Sequence, residues 1–372
     1  MNLLLSLRQR FSNHIIRGKI ITVLWITLTY TLIALFRFFE TYASTVGKED
    51  EYVIGFIEGI LSKIIVIIPV GIIIGFSLVF LWERWLRKMD YVKAIFCILL
   101  FYTLIFFLFF PLDYILQSVS NSSQLNHSEL LAYLETDEFK FIVLSNFIFW
   151  FIITFFIILF LSIRDKFGPI TFVNFLKGKY HKPKREERIF MFMDLKSSTT
   201  IAERLGEEQY FKFLNDTFSI ATPAILLTEG EIYQYVGDEI VISWITRKGI
   251  NKVNCINCYY KVMKLLAEKA EYFEHTYGTQ PAFKAGLHFG NVITGEMGIV
   301  KKEIVYSGDV LNTASRIQSL CNEMNTEILI SHNLIKRIDL SDLQKQTKSM
   351  GIIDLRGKQE KIELVTLLDI DN

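Results

Sequence analysis

The sequence has little cysteine and little proline and carries almost no net charge, and each shortage excludes a class of protein. Its 372 residues include 4 Cys and 6 Pro, with 40 basic against 39 acidic side chains. So few Cys exclude a small disulfide scaffold, and the balanced charge excludes a protein that binds nucleic acid by bulk positive charge. We therefore predict reduced thiols and no nucleic-acid partner.

Several chemical signatures are also missing. No Gly-x4-Gly-Lys-Ser/Thr segment occurs, which argues against a P-loop ATPase. Cys255 and Cys258 form a Cys-x-x-Cys pair, but no second Cys or His pair follows at zinc-finger spacing. Two helix cysteines one turn apart are the favoured interpretation, and the 6 scattered His form no metal cluster.

What the first half does contain is long apolar segments. Of the chain, 51% is hydrophobic, and four stretches approach the roughly 20 apolar residues that a helix needs to cross about 30 Å of hydrocarbon. A cleaved signal peptide is the alternative for the first stretch, but no A-x-A-like site follows it. We predict an α-helical bundle in residues 1–163 with four transmembrane helices, at about 20–39, 64–82, 94–112 and 141–163.

Charge in the connecting segments predicts the orientation of these helices, because cytoplasmic loops are rich in Lys and Arg. Segments 1–19, 83–93 and 164–187 carry 4, 4 and 7 cations, whereas 40–63 and 113–140 each carry 5 acids. Both termini are therefore predicted to be cytoplasmic, in a multi-pass protein of the plasma (inner) membrane. No polar cluster marks a binding site within the spans, so an anchoring and dimerising role is favoured over a sensor.

The second half has the composition of a globular domain. Residues 164–187 are predicted to be a cytoplasmic linker, in which Gly168 and Pro169 end the fourth helix and a basic run suits a flank near anionic lipid. From 188 to 368, strand-like and helix-like segments alternate, which indicates an α+β domain with helices packed on an antiparallel sheet. The predicted strands are 188–193, 231–235, 239–244, 282–289, 292–297 and 327–331, and the predicted helices are 200–227, 253–275 and 310–321.

Two aspartates stand where a carboxylate can act. Asp194 ends an apolar strand and precedes a polar turn whose backbone N–H groups could hold phosphate oxygens. Asp238 lies at the tip of the predicted hairpin, so the two carboxylates converge if the strands are adjacent. Such a pair can bring divalent ions to a polyphosphate. Spacing alone favours the simpler interpretation of a helix-capping Asp194 and a turn-forming Asp238.

A third segment favours the catalytic interpretation of the two aspartates. Asn312 and Arg316 are four residues apart in a predicted helix, so they share one helix face. An amide and a guanidinium that point the same way suit a phosphoryl-transfer transition state, in which oxygens gain charge and need fixed donors.

Four segments, in this order, resemble the motifs of the class III nucleotidyl cyclases. They are FMFMDLKSST (190–199), VGDE (236–239), GLHFG (286–290) and SGDVLNTASR (307–316). The resemblance runs from about residue 188 to 365. It implies a class III α+β catalytic domain that forms a homodimer with its sites at the subunit interface.

The resemblance also implies roles for individual residues. One subunit would hold two divalent cations, Mg²⁺ or Mn²⁺, through Asp194, Leu195 and Asp238. The other subunit would supply Asn312 to orient the ribose and Arg316 to stabilise the transition state, while the 3′-hydroxyl attacks the α-phosphorus and expels pyrophosphate. A cation near the C-terminus would hold the terminal phosphates, with Arg356 the first choice and Lys358 the second.

The positions that read the base depart from the family pattern. Gln234 and Val305 stand where adenine-selecting members often have Lys and Asp or Thr. Gln can donate to and accept from a purine edge, whereas Val can do neither. ATP is therefore expected as the substrate from what bacterial relatives usually use, and GTP is not excluded.

Three functions compete on this sequence. The favoured one is a membrane-anchored adenylate cyclase, a phosphorus–oxygen lyase that makes 3′,5′-cyclic AMP; a guanylate cyclase is its variant. The second is a catalytically inactive cyclase-like module for nucleotide binding or dimerisation, which the retention of Asp194, Asp238, Asn312 and Arg316 disfavours. The third, a diguanylate cyclase, is suggested only by Gly237-Asp238-Glu239.

Overall fold

The fold comes from a computed structural model that describes most of the chain. The described residues are 2–45, 52–81, 91–120, 135–300, 302–341, 343, 345–354 and 361–369. They divide into two compact units, Met1–Phe172 and Val173–Asn372. Each unit is considered by itself below.

The first unit is built from long apolar helices. They are α1 (Asn2–Thr45), α2 (Tyr52–Phe76, continued by a π-helical turn at Ser77–Leu81), α3 (Tyr91–Ser120) and α4 (Asp137–Phe167). Many of their large apolar side chains point outward; Phe36 is 71% exposed and Phe141 is 74% exposed. Such exposure is uncommon on a water-facing surface and is typical of helices that face lipid.

Three helices of the described residues are long and apolar enough to cross a membrane. These spans are Ile16–Ala43, Phe56–Phe80 and Phe139–Lys166. They overlap the first, second and fourth predicted spans. The remaining predicted span, 94–112, lies in α3, where the apolar section Phe96–Pro111 is shorter than the length required. The number of four spans therefore stays a prediction.

Close backbone approach and one buried hydrogen bond tie these helices together. A Cβ on Gly71 of α2 would lie 2.9 Å from the Thr27 Cα of α1, so the small residue lets the two helices touch. The hydroxyls of Tyr30 on α1 and Thr154 on α4 are hydrogen-bonded at 2.6 Å, and the Tyr30 ring stacks on Trp150 at 5.5 Å. These contacts are those of a packed helical bundle.

The break that the sequence predicts after the fourth apolar segment is confirmed. Helix α4 ends at Gly168, whose φ of 79° is accessible to glycine at little cost. A short helix, α5 (Pro169–Leu176), follows at once with proline in its first position, where the missing N–H costs nothing.

The second unit alternates strands and helices, as the sequence predicts. In chain order they are β1 (Lys184–Leu195), α6 (Ser198–Leu205), α7 (Glu207–Leu227), β2 (Glu231–Val236), β3 (Glu239–Ile245), α8 (Thr246–Ile250), α9 (Asn254–Ala267), α10 (Ala270–Tyr277), β4 (Phe283–Met297), β5 (Glu303–Ser307), α11 (Asp309–Glu323), β6 (Ile328–Ser331), α12 (His332–Ile335), β7 (Lys345–Ile353) and β8 (Ile362–Asp369).

Within the described residues, eight strands form one mixed sheet. The order is β2-β3-β1-β4-β6-β8-β7, and β5 pairs with β4. All pairs are antiparallel except β4 with β6. The predicted antiparallel sheet therefore needs one correction, at this parallel pair. The reason is that α11 lies between β5 and β6 in the chain, and a helical crossover is what allows two strands to run parallel.

Several element boundaries also differ from the prediction. The predicted helix 200–227 is two helices, because Gly206 separates α6 from α7 with a φ of 73°. The predicted helix 253–275 is likewise divided into α9 and α10. The predicted strands 282–289 and 292–297 are one strand, β4, because Gly290 and Asn291 stay extended opposite Arg188 and Glu187. Strand β1 begins at Lys184 rather than at Arg188.

Strand β1 is an inner strand, between β3 and β4, and contributes to both faces of the sheet. Successive side chains alternate between the faces of a strand. Ile189, Met191 and Met193 are buried in the larger core, which the helices after β1 cover. Phe190 and Phe192 are buried on the opposite face in a smaller cluster that includes residues of α11.

Helix α11 lies unusually close to the sheet at Gly286 on β4. A Cβ at this position would lie 2.2 Å from the backbone nitrogen of Gln318 and 2.6 Å from the carbonyl oxygen of Ala314. Both atoms belong to the helix backbone, so a side chain at 286 could be accommodated only if the helix moved. The absence of a side chain at Gly286 therefore sets the position of α11.

The substitution Gly286→Ala tests this contact. We expect a loss of about 1–3 kcal/mol of stability, the usual cost of overpacking, measured as a lower melting temperature of the detergent-solubilised chain. Gly295→Ala on the same strand is the control, since its Cβ would meet Pro183 at 3.3 Å, a milder contact. Equal melting temperatures for the two variants would show that α11 is not fixed by Gly286.

Candidate active site

The two aspartates lie next to each other at one end of the central strands. Asp194 is the second-last residue of β1 and stands opposite Glu239 of β3 and Lys284 of β4. Asp238 directly precedes Glu239 in the two-residue turn between β2 and β3, where Gly237 has a φ of 62°. The strands β1 and β3 are therefore adjacent, which was the condition for the two carboxylates to converge.

The carboxylates of this end repel one another. Burial, followed by the negative charge of Asp238, raises the pKa of Asp194, while the Gln318 side chain and the charge of Lys284 act in the opposite direction. Burial and the charges of Asp194 and Asp238 raise the pKa of Glu239 to about 7. A cation between these groups would relieve the repulsion.

The donor set at this end fits a hard divalent cation. Carboxylate oxygens are the ligands that Mg²⁺ and Mn²⁺ prefer. Leu195 packs its buried side chain into the core, so only its backbone carbonyl could reach a metal. Among the described residues no group of three or more His, Cys, Asp and Glu forms a metal cage. The chain thus offers the aspartate pair, which leaves ligand positions for substrate oxygens and water.

Asn312 and Arg316 lie on the side of α11 that is turned away from its own sheet. Asn312 is exposed and Arg316 is partly buried, whereas Val310, Ala314 and Ile317 of the same helix are buried. At 100° per residue, Gln318 is about 200° around the helix from Arg316. The predicted shared face of Asn312 and Arg316 is therefore confirmed, and it is the outer one.

The two segments that carry the predicted base-reading residues are in contact, but through their tyrosines. Gln234 is exposed on β2 opposite Val241, and Val305 is partly buried on β5 opposite Gly295. Their chain neighbours, Tyr233 and Tyr306, form an edge-to-face pair with ring centroids 4.8 Å apart. The contact joins β5 to β2.

A buried guanidinium lies over the Tyr306 ring, and the sequence assigned it no role. Arg188 on β1 donates to Glu186 at 2.8 Å, to Glu231 at 2.8 Å and to Ser243 at 2.9 Å. Its guanidinium carbon lies 4.7 Å from the centroid of the Tyr306 ring. A signal was available, because an Arg at an inward position of an apolar strand needs buried acidic partners.

The predicted phosphate-binding cations lie outside the described residues. Arg356 and Lys358 belong to 355–360, between β7 and β8, so their role stays a prediction. Two further residues beside the aspartates were not singled out from the sequence. Glu239 is the register partner of Asp194, and Gln318 is a polar residue on the buried face of α11. Because Gln318 follows Ala314 by four residues, the two share one helix face, and this spacing could have indicated that Gln318 is buried.

Comparison with known proteins identifies the second unit. The family model described as the adenylate and guanylate cyclase catalytic domain matches residues 181–368, half of the chain. The chain belongs to this family. The expected class III cyclase fold is thereby confirmed, with the mixed sheet described above.

Individual relatives include both adenylate and guanylate cyclases. Adenylate cyclase 2 from Rhizobium meliloti (strain 1021) is 33% identical over 211 residues, which cover 57% of this chain and 58% of that protein. Receptor-type guanylate cyclase gcy-10 from Caenorhabditis elegans is 23% identical over 201 residues, covering 52% of this chain and 18% of that protein. The crystal structure of the adenylyl cyclase CyaB from P. aeruginosa aligns with a TM-score of 0.45 at 20% identity, over 51% of this chain and 97% of that one.

The Arg188 network of this cyclase domain should contribute strongly to its stability. We expect Arg188→Met to cost about 3 kcal/mol, because it leaves the partly buried Glu231 and the buried Ser243 without their shared donor, while Glu186 keeps its contact with Lys179. The control is Arg337→Met, which removes a two-point contact with Glu187 at 2.8 and 2.9 Å. That pair is partly exposed and should contribute about 1 kcal/mol or less. Similar losses in chemical denaturation of the two variants would contradict the assigned burial.

Proposed function

We propose that the protein is a membrane-anchored nucleotidyl cyclase that converts ATP into 3′,5′-cyclic AMP and pyrophosphate. The observation that carries the proposal is the convergence of Asp194 and Asp238 at the end of β1, where burial and then the charge of Asp238 raise the pKa of Asp194. A protein gains nothing in stability from holding two acids together, whereas a divalent cation on a polyphosphate needs such a pair.

The orientation of α11 supports a homodimer with shared sites. Asn312 and Arg316 lie on the side of the helix opposite Ala314, which packs against Gly286 in the sheet of the same chain. In a twofold dimer both copies contribute the same surface to the interface. Two equivalent sites would therefore form. Each site would then combine the aspartates of one copy with Asn312 and Arg316 of the other.

The residues of such a site have separate tasks. Asp194, Asp238 and the carbonyl of Leu195 would hold the divalent cations, which supply activation of the 3′-hydroxyl and neutralisation of phosphate charge. Asn312 would orient the ribose. The 3′-oxygen loses its proton to water and bonds to the α-phosphorus, while the bond to the bridging oxygen breaks and pyrophosphate leaves with the electron pair. Arg316 would bind the α-phosphate oxygens as they gain charge.

The choice between ATP and GTP depends on the Gln234 and Val305 region. We favour ATP because the relative with 33% identity is named an adenylate cyclase. GTP is the second candidate, because another relative is named a guanylate cyclase. An amide such as that of Gln234 can hydrogen-bond to either purine by rotation.

The membrane unit would place this chemistry at the cytoplasmic surface. Three described helices are long and apolar enough to cross a bilayer. The Lys and Arg excess before the first helix and after Ile163 supports cytoplasmic termini. ATP and GTP are then available to the catalytic unit directly.

Cyclase activity of the full chain tests the proposed function. Membranes that carry the full chain, supplied with ATP or GTP and Mg²⁺ or Mn²⁺, should form cyclic nucleotide, with ATP the better substrate. Asp194→Asn keeps the shape of the side chain and removes its charge, so we expect a loss of about 100-fold or more. Glu203→Gln makes the same chemical change on the exposed surface of α6 and should leave the rate unchanged. Nucleotide binding without product under either metal would contradict the enzyme proposal.

The second prediction concerns the shared site. Asp238→Ala and Arg316→Ala chains should each be inactive alone, since each ruins both sites of its own dimer. Co-expression of the two should restore part of the activity, because one site of the mixed dimer is then intact. A mixture as inactive as its components, with mixed dimers verified by differential tags, would show that each chain builds its site alone.

A further inference from the structure

An irregularity in β2 determines the direction of the Gln234 side chain. In the ladder between β2 and β3, the residues before and after Tyr233 pair with two successive residues of β3, Ile242 and Val241. Tyr233 is therefore the extra residue of a β-bulge. Gln234 stands opposite Val241 and so shares its face of the sheet, where Val241 is buried in the smaller cluster with residues of α11.

The bulge places two consecutive residues of β2 on one face. Tyr233 also packs against the smaller cluster, so it points to the same side as Gln234. In a regular strand the side chains alternate, and Gln234 would then face the larger core instead. Contacts that hold Tyr233 in its bulge therefore also fix the direction of Gln234.

On β5, the residue that shares this face is Tyr306. It stands opposite Thr294 and packs against the smaller cluster. Val305 precedes it in a regular ladder and therefore points to the opposite face. Of these two neighbours, Tyr306 is thus the one that can act on Gln234.

The ring of Tyr306 has aromatic and cationic neighbours. Its centroid lies 4.8 Å from that of Tyr233 and 5.4 Å from that of Phe190, and both pairs are edge-to-face. The guanidinium carbon of Arg188 lies 4.7 Å from the same centroid. Tyr306 therefore supports the bulge residue from a position that buried groups of β1 fix.

Arg188 connects this support to β2 directly. Its guanidinium donates to Glu231, the first residue of β2, at 2.8 Å and to Ser243 of β3 at 2.9 Å. The Arg188 side chain is 1% exposed, so these contacts are shielded from water. Strands β2 and β5 therefore cannot separate here without breaking contacts of a buried charge.

We propose that Tyr306 is a positioning residue that keeps Gln234 directed at the purine base of the substrate. This inference rests on the proposed function, in which Gln234 contacts the base. Tyr306 acts through the Tyr233 ring, and Arg188 holds Tyr306 in place. An amide whose direction is already fixed loses less conformational entropy when it binds.

Ligands with and without a base test this role. Tyr306→Leu removes the ring and keeps an apolar side chain. For the full chain in detergent we expect its Kd for a non-reactive ATP analogue to rise about 10-fold, the value of one hydrogen bond. The Kd for inorganic triphosphate, which has no base, should stay unchanged. Tyr306→Phe keeps the ring and should bind the analogue far more tightly than Tyr306→Leu. Tyr272→Leu, the same change on the exposed surface of α10, is the matched control.

A double substitution tests whether Tyr306 acts through Gln234. Gln234→Leu removes the amide and should raise the Kd for the ATP analogue by a similar factor. Tyr306→Leu added to Gln234→Leu should raise it no further, because substitutions that break one network are not additive. Fully additive effects would overturn the inference, since Tyr306 would then act by another route.

The remaining outcomes are equally decisive. An unchanged Kd for the ATP analogue would overturn the inference. So would an equal loss of analogue and triphosphate binding, since the ring would then only stabilise the fold. If Tyr306→Leu does not fold, Tyr233→Leu breaks the same ring contact, and it must show the same selective loss for the inference to stand.

The same measurements separate this inference from the proposed function. If the chain bound the ATP analogue but made no cyclic nucleotide from ATP or GTP, the proposed function would fail. The Kd values would still decide the role of Tyr306. A chain that bound no nucleotide would overturn both.

Discussion

The close contact between α11 and β4 at Gly286 is the feature on which the geometry of the catalytic unit depends. Gly286 allows the helix backbone to approach β4 at a distance that any side chain would prevent. At this contact, Ala314 and Gln318 face the sheet on the inner side of the helix. The outer side carries Asn312 and Arg316. A single close contact therefore sets the position of the helix that carries these two residues.

Two charged residues of β1, Arg188 and Asp194, have opposite kinds of surroundings. Arg188 is surrounded by two carboxylates, a hydroxyl and an aromatic ring, so its charge is compensated and it stabilises the fold. Asp194, six residues along the same strand, lies beside two further acids, and its pKa is raised. A compensated charge is a structural feature, whereas neighbouring acids that raise one another's pKa are typical of functional sites.

Local patterns in the sequence were sufficient for much of this architecture. The apolar spans, the hairpin around Gly237 and the helix with Asn312 and Arg316 follow from composition, turn residues and spacing. Contacts between distant residues were not predictable in the same way. Nothing near Gly290 reveals that β4 continues through it, because pairing with β1 keeps it extended. The parallel pairing of β4 with β6 and the close approach of α11 to Gly286 likewise depend on how distant elements pack.

The central claim is that the aspartates and the Asn312 and Arg316 pair of one chain serve different sites. A structure of the full chain with Mn²⁺ and a non-reactive ATP analogue measures this most directly. We expect each nucleotide to contact Asp194 and Asp238 of one copy and Asn312 and Arg316 of a second copy. A nucleotide held by all four residues of a single chain, or one that leaves Arg316 in solvent, would contradict the claim.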